Sequence, residues 1–452
     1  MQKTNEQEDS LMSTAYILVS FALVIVLMIV LISKFHVHPG IGILVSSIIL
    51  AIALGYNWSD IEGNINSGFS GTIKSVAIVI FLGCILGTVL EKTGAAVRIT
   101  KWAIDLVGEK NIIWAIAISS FILGIPIFAD SVVILLIPIV SLLAIKTNKS
   151  MMSYGTALYL GALTTASLVP PTPGPVSAAA LLGVPLGQAI LWGALISVPS
   201  VIGATLYCKT LKDPVLPKQE YVLAAQNTDE AKLPGLTQSL MPILLPLILI
   251  GISTVSTLLS PESGFTNVMA FLGSPLAALF AGCLMSLVLT GPKWKTKEVL
   301  NNWVEEACHS AAMPIIVTGM GGALAWFVKD CGVADTVAGA VAGSGFPAIL
   351  IPIIIAMLIH VITGSNALAV MTAAALVEPM LSTLGISPLA AFLACGTGAL
   401  MFKHTNSSGF WVTVSMSNMD VKQGIRAVGG ASTVSGFIGA ALTCLLWAFH
   451  VI

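Results

Sequence analysis

Val169-Pro170-Pro171-Thr172-Pro173-Gly174-Pro175 interrupts one apolar stretch, and His404-Thr405-Asn406-Ser407-Ser408-Gly409-Phe410 interrupts another. Four prolines in six residues cannot continue an α-helix, because each lacks an N–H and its ring clashes with the preceding turn. The flanks on both sides are apolar and too short to be separate comfortable spans. The segment therefore reads as a helix broken at membrane depth, where loose backbone is tolerated only against protein or a water-filled cavity. Gly174 and Gly409 lie 235 residues apart. Further out, Pro39 and Pro275 each open an apolar run, 236 apart, and Trp58 and Trp294 follow those runs at the same offset. Lys92-Thr93-Gly94 and Asp330-Cys331-Gly332 end the next pair of segments, 238 apart. Each match alone is weak, and the shared offset is the signal. Paired, interrupted apolar segments in two halves of a chain are the best sequence pointer to the binding site of a secondary transporter.

Composition agrees. With 56% hydrophobic and 9% charged residues and a mean hydropathy of +0.96, the chain is not a soluble globular protein. Its apolar runs of about 18–22 residues are long enough to cross a bilayer. The expected fold is an all-α polytopic membrane protein of two inverted repeats, each with a re-entrant helical hairpin and an interrupted helix, about ten spans in all. The organisation expected is a tail (1–14), a first repeat (15–208), a polar linker (209–235) carrying Pro214, Pro217 and Pro234, and a second repeat (236–452). The first run lacks a cleavage site and reads as a retained span. The stretches around 57–72 and 294–309 read as interfacial helices. Seven scattered cysteines have no metal-like spacing and read as small buried hydrophobes. No metal cluster, nucleophile with its base or basic patch is present, so enzyme chemistry and nucleic-acid binding have no support.

If the pair of segments from 111 to 145 enters and leaves by one face, each half has an odd number of crossings and the halves are inverted. An N-terminus outside then places sixteen of the twenty Lys and Arg residues in the cytoplasm, as the positive-inside rule requires. Two full crossings for both pairs would satisfy parity as well.

Four places carry polar chemistry at membrane depth. Gly124-Ile125-Pro126-Ile127-Phe128-Ala129-Asp130-Ser131 should break a helix at Gly124 and Pro126. Asp130 is the one acid between Glu109 and Asp213. An intramembrane carboxyl is costly and suits a proton carrier, while a plain helix cap is the alternative. In the other half, Thr363-Gly364-Ser365-Asn366-Ala367 offers hydroxyls, an amide and free N–H groups at a helix start, an arrangement that binds anions or caps the helix. The third place is the proline-rich break with Thr172 and Gly174. The fourth is Lys403-His404-Thr405-Asn406-Ser407-Ser408, with a cation, an imidazole, an amide and hydroxyls. Histidine is the side-chain type that changes charge near neutral pH, which makes His404 a candidate in proton coupling. Lys403 contacts substrate or snorkels to an interface. His360 reads as a packed, satisfied histidine, and Glu378 as a second, lesser acid. Only Arg98 and Arg426 exist, both in expected cytoplasmic regions, so a bidentate arginine clamp for a carboxylate is not expected.

At these residues the chain resembles the gluconate permease (GntP) family of proton symporters, part of a larger superfamily of inverted-repeat ion transporters. The resemblance covers about 15–450. It rests on His38-Pro39-Gly40-Ile41-Gly42, Leu90-Glu91-Lys92-Thr93-Gly94-Ala95-Ala96, Gly124 to Asp130, Pro170 to Pro175, Gly364-Ser365-Asn366-Ala367 and His404 to Trp411. It implies uptake of gluconate, related sugar acids or D-serine across a bacterial inner membrane, and by the superfamily a scaffold that forms a homodimer in the bilayer. Three departures stand out. The chain has Thr165-Ala166-Ser167 where the family usually carries a His before its double proline. It has Thr172 where a His often separates the second and third prolines, and Ser407 where an acid usually follows the Asn.

The expectation is therefore a secondary transporter of a small anionic hydroxy acid, using no cofactor beyond an ion gradient. Asp130 and His404 are its expected proton-coupling residues. Ser131, Thr172, Gly174, Gly364, Ser365, Asn366, Lys403, Asn406 and Ser407 are its expected substrate contacts. Sodium coupling and, more remotely, an anion channel stay open as alternatives.

Overall fold

The computed structural model describes residues 37–108, 111–226, 233–259, 263–330, 347–405 and 407–452, together with 16, 19–21, 23–28, 30–32, 34 and 35. The expected tail (1–14), Cys331-Gly332 and Asn406 lie outside the described residues. Regular structure among the described residues is entirely helical. Among the described residues seven helices are long and apolar enough to cross a membrane, eight if one bent pair is counted as a span. The expected count of about ten is reached only if shorter apolar helices are added. Several of these are arms of the hairpins or halves of the broken helices, such as Ile112–Leu123, Leu350–Thr363 and Pro388–Gly398.

Local sequence sets where helices start. Proline occupies the first turn of Pro39–Ala53, Pro173–Leu181, Pro275–Ser286 and Pro388–Gly398, where its missing N–H costs nothing. Ser150, Ser274, Ser365 and Ser387 each accept a backbone N–H of the helix that follows, which satisfies one orphan donor.

The first hairpin consists of Ile112–Leu123 and Ala129–Thr147, turning at Gly124 to Phe128. The second consists of Leu350–Thr363 and Asn366–Val377, turning at Gly364, whose φ of 71° is left-handed and favours glycine. The first arms, 12 and 14 residues long, span only about 18–21 Å at 1.5 Å per residue. That is too short for a hydrocarbon core of about 30 Å. The first broken helix is Met151–Leu168 followed by Pro173–Leu181, and the second is Pro388–Gly398 followed by Ser408–Met416.

Counterpart helices of the two halves pack antiparallel. Trp58–Lys92 lies along Trp303–Asp330. A Cβ added to Gly68 would stand 2.6 Å from the Gly322 carbonyl oxygen, while Lys92, at the other end, pairs with Glu306 at 3.0 Å. In the same way Leu186–Thr210 packs on Gly430–Ala448. There the Gly439 backbone approaches Ser200, and the Tyr207 hydroxyl donates to the Arg426 carbonyl at 2.7 Å. Matched elements that run in opposite directions are the signature of inverted repeats.

The stretch read as an interfacial helix at 57–72 is continuous with the following span. Trp58–Lys74 and Val76–Lys92 form one helix with a bend of 46°. Its counterpart passes through a 3₁₀ segment (Leu287–Lys295) and a π turn (Glu298–Asn302) into Trp303–Asp330. The polar sequence of 59–72 hides this continuity; within it Gly68 meets the Gly322 backbone, while Gly63 and Gly71 have nothing within 4 Å.

Candidate functional site

Four helices begin at one cavity of about 420 Å³. Ala129–Thr147 brings Phe128, Ala129 and Asp130 to its wall, and Pro173–Leu181 brings Thr172, Pro173 and Gly174. Asn366–Val377 brings Ser365, Asn366 and Ala367, and Ser408–Met416 brings Ser407, Ser408 and Gly409. Each helix start carries N–H groups without an intrahelical partner and a partial positive charge of about +0.5. All four point their positive ends at one place because each follows a break in a hairpin or in an interrupted helix.

The halves exchange partners here. The first hairpin meets the second broken helix, where Ser408 Oγ donates to Asp130 Oδ2 at 2.9 Å. The second hairpin meets the first broken helix, where a Cβ on Gly174 would lie 3.1 Å from Ala367 Cα. Among the described residues, Asp130 is the one carboxylate and Lys403 the one ammonium on the cavity wall. The residue before the helix is Phe128, so Asp130 sits within the first turn rather than at the capping position.

Lys403 is buried, 3% exposed, in the break of the second broken helix. Its Nζ donates to Asn366 Oδ1, to the Gly364 carbonyl at 3.5 Å and towards His360 Nε2 at 3.5 Å. It also lies 5.8 Å from the centroid of the Tyr159 ring, within range of a cation–π attraction. Lys403 therefore does not snorkel to an interface. Asn366 is held by its own amide, since Nδ2 donates to the Ala399 carbonyl at 2.7 Å.

His360 is packed and satisfied as expected, with Nδ1 at 2.8 Å from the Met401 carbonyl. His404 is not on the cavity wall, and its Nε2 lies 2.9 Å from the Val361 carbonyl on the first arm of the second hairpin. Ser131 follows Asp130 in the first turn but does not line the cavity. Thr172, Gly174, Gly364, Ser365, Asn366, Lys403 and Ser407 do. The Thr172 hydroxyl faces the Val169 and Ala166 carbonyls at 2.9 and 3.0 Å and so pins the break. Glu378 sits beyond the second arm, away from the cavity. Among the described residues no group of three or more His, Cys, Asp or Glu could hold a metal ion.

Several wall residues were not legible in the sequence, among them Tyr159, His309, Ser310 and Met313. Tyr159 lies mid-helix in Met151–Leu168, is 1% exposed and is hydrogen-bonded to Ser407. His309, Ser310 and Met313 come from Trp303–Asp330 and close the cavity from the scaffold side. The three departures noted in the sequence fall on this wall, at Ala166 and Ser167, Thr172 and Ser407.

Comparison with known proteins places these features in context. Residues 16–450 match the family described as GntP family permease. An uncharacterized permease of Haemophilus influenzae is 33% identical over 442 residues, covering 93% of this chain and 90% of that one. A gluconate permease of Pseudomonas aeruginosa is 29% identical, covering 96% and 98%. The crystal structure of the Alcanivorax borkumensis YdaH transporter, described as having an unusual topology, superposes with a TM-score of 0.62 at 15% identity over 87% of this chain and 90% of that one, a likeness of fold.

Proposed function

The chain belongs to the GntP family of permeases, and from that premise we propose that it imports a small hydroxylated carboxylate, gluconate or a related sugar acid, by proton symport with alternating access. That it is a multi-pass inner-membrane transporter of small acids follows from the family and its relatives. The proposal for a hydroxylated carboxylate is carried by the meeting of four helix N-termini at one cavity. A carboxylate there accepts backbone N–H groups and is attracted by four positive dipole ends, with no arginine needed. Ser365, Asn366, Ser407 and Ser408 offer the hydroxyl and amide groups that read the polyol. The volume lies within the usual range of small-molecule sites, about 300–1,000 Å³.

Asp130 is the proposed proton carrier. It lies on the cavity wall and accepts a hydrogen bond from Ser408 of the opposite half, whereas His404 faces a backbone carbonyl away from the wall. The proposed motion carries the hairpins and broken helices past the scaffold of Trp58–Lys92 and Trp303–Asp330, in a homodimer. A small amino acid such as D-serine is the second reading, because the Asp130 carboxylate among the helix starts could pair an ammonium.

The test is uptake of labelled gluconate into proteoliposomes with an imposed pH gradient and no sodium, comparing native protein with Asp130→Asn. Concentrative uptake abolished by the substitution supports the reading. Uptake only of D-serine, or only with added sodium, overturns the substrate or the coupling assignment respectively.

A further inference from the structure

Lys403 looks at first like a ready clamp for an anionic substrate, but its hydrogen bonds leave it no free donor. An ammonium has three N–H donors and no acceptor. Three acceptors face it: Asn366 Oδ1, the Gly364 carbonyl and His360 Nε2. Two of the three are fixed from behind. Asn366 Nδ2 donates to the Ala399 carbonyl, which turns Oδ1 towards Lys403. His360 Nδ1 faces the Met401 carbonyl. A carbonyl can only accept, so Nδ1 carries the ring proton and Nε2 presents a lone pair.

The third acceptor belongs to the C-terminal end of Leu350–Thr363, where the Gly364 N–H closes on the His360 carbonyl at 2.7 Å and the terminal carbonyls carry partial negative charge. A carbonyl at an unwound helix end together with an amide oxygen is the donor set with which broken-helix transporters coordinate a free monovalent cation. Here the cage is buried and already filled from within the chain.

We propose that the Lys403 ammonium is a tethered cation that occupies a monovalent-cation cage at the tip of the second hairpin, so that the anion site assembles without a free coupling cation. In this role Lys403 is a positioning residue. It joins the break of the second broken helix to both arms of the second hairpin, and thereby sets Ser365 and Asn366 at the cavity wall. Substrate carboxylate is left to the helix starts. The proposal rests on the reading of this cavity as the transport site for its uptake readout alone, because binding of a cation to the emptied cage is read independently of any substrate.

The experiment uses the full chain with Lys403→Ala, which removes the ammonium and most of its stem. Melting temperature in detergent and uptake in proteoliposomes are compared in choline, sodium and ethylammonium chloride. Native protein should be indifferent to the three salts. The variant should lose uptake by about tenfold or more, as expected when a buried charge-assisted network loses its donor. Ethylammonium should raise its melting temperature and restore part of the uptake. Lys403→Ala carrying Asn366→Leu as well should show no rescue.

A rise in melting temperature without uptake of gluconate would sustain the cage and overturn only the substrate assignment. No ethylammonium effect on melting would overturn the tethered cation, and rescue by sodium alone would overturn its assignment as an ammonium cage. Should Lys403→Ala not yield folded protein, Lys403→Met keeps the volume and decides by kinetics. A fall in maximal rate at unchanged KM supports positioning, and a raised KM at unchanged rate returns Lys403 to the role of substrate clamp.

Discussion

Ser408 Oγ donates to Asp130 Oδ2 at 2.9 Å across 278 residues of sequence, and this bond ties the first hairpin to the broken helix of the opposite half. The mirror contact, Gly174 against Ala367, contains no charge. The titratable member of the exchange is thus confined to one of two otherwise matched junctions.

Ser408→Ala removes the donor and leaves the carboxylate in place. The pair is partly open to the cavity, so the coupling should be modest, about 1 kcal/mol in a double-mutant cycle with Asp130→Asn. The check is gluconate affinity of the four proteins of the cycle, read from substrate-induced shifts in melting temperature, which needs no proton-driven uptake. Strictly additive effects would separate Ser408 from the proton site.

His404→Gln should keep proton-driven uptake within about twofold, because a glutamine amide can still donate to the Val361 carbonyl as the imidazole does. His404→Ala removes that hydrogen bond and should cost about 1 kcal/mol of stability, read as a lower melting temperature. Complete loss of concentrative uptake in His404→Gln, with exchange intact, would return His404 to the proton path.

Gly174→Val places a branched side chain where even a Cβ lies 3.1 Å from Ala367 Cα and 3.4 Å from its Cβ. The second hairpin tip has to shift. Uptake should fall by about tenfold or more, since a 1 Å misplacement in a binding site commonly costs that much or more. Gly174→Ala, which asks for a few tenths of an ångström, should fall in between. Initial rates of uptake for the two variants test the order.

Gly68→Val probes the scaffold rather than the site. Its first side-chain atom would stand 2.6 Å from the Gly322 oxygen and 2.7 Å from Ala323 Cα, both backbone, so the helices must part. Overpacking of this kind costs about 1–3 kcal/mol. The expected reading is a lowered melting temperature with little change in substrate KM.

Ser365→Ala combines both effects. Ser365 Oγ accepts from the Leu368 N–H at 3.3 Å and also lines the cavity. Loss of the cap costs about 1 kcal/mol, and loss of the hydroxyl should raise KM for a polyhydroxylated acid more than for a short one. Parallel uptake of gluconate and glycerate separates the two contributions.

The breaks were legible because each is written in residues that a membrane helix avoids. Pro170 to Pro175, Gly124 with Pro126, and Gly364-Ser365-Asn366 announce an interruption whatever surrounds them. Asp130 and Lys403 were legible because charge is rare at that depth. Tyr159 was not, since an aromatic in the uninterrupted helix Met151–Leu168 gives no local sign that it meets Ser407. His309 and Ser310 follow Glu305 and Glu306 and precede a long apolar run. They read as the wet end of a span, and only the packing of Trp303–Asp330 beside the hairpin tips brings them to the cavity. The role of Lys403 was hidden for a related reason. Its three acceptors come from the second hairpin, about 40 residues upstream, and two of them are shaped by carbonyls of the second broken helix.

Four like poles brought to one point repel one another, each with about half an elementary charge. In the empty cavity the single Asp130 carboxylate offsets only part of that repulsion, so drawing the hairpins and broken helices closer still costs electrostatic work. A bound carboxylate reverses that sign, since each helix start then moves towards an opposite charge. Occupancy of the cavity therefore sets how much work it takes to bring these four elements together, so the empty protein pays an electrostatic penalty for closing that the loaded protein does not.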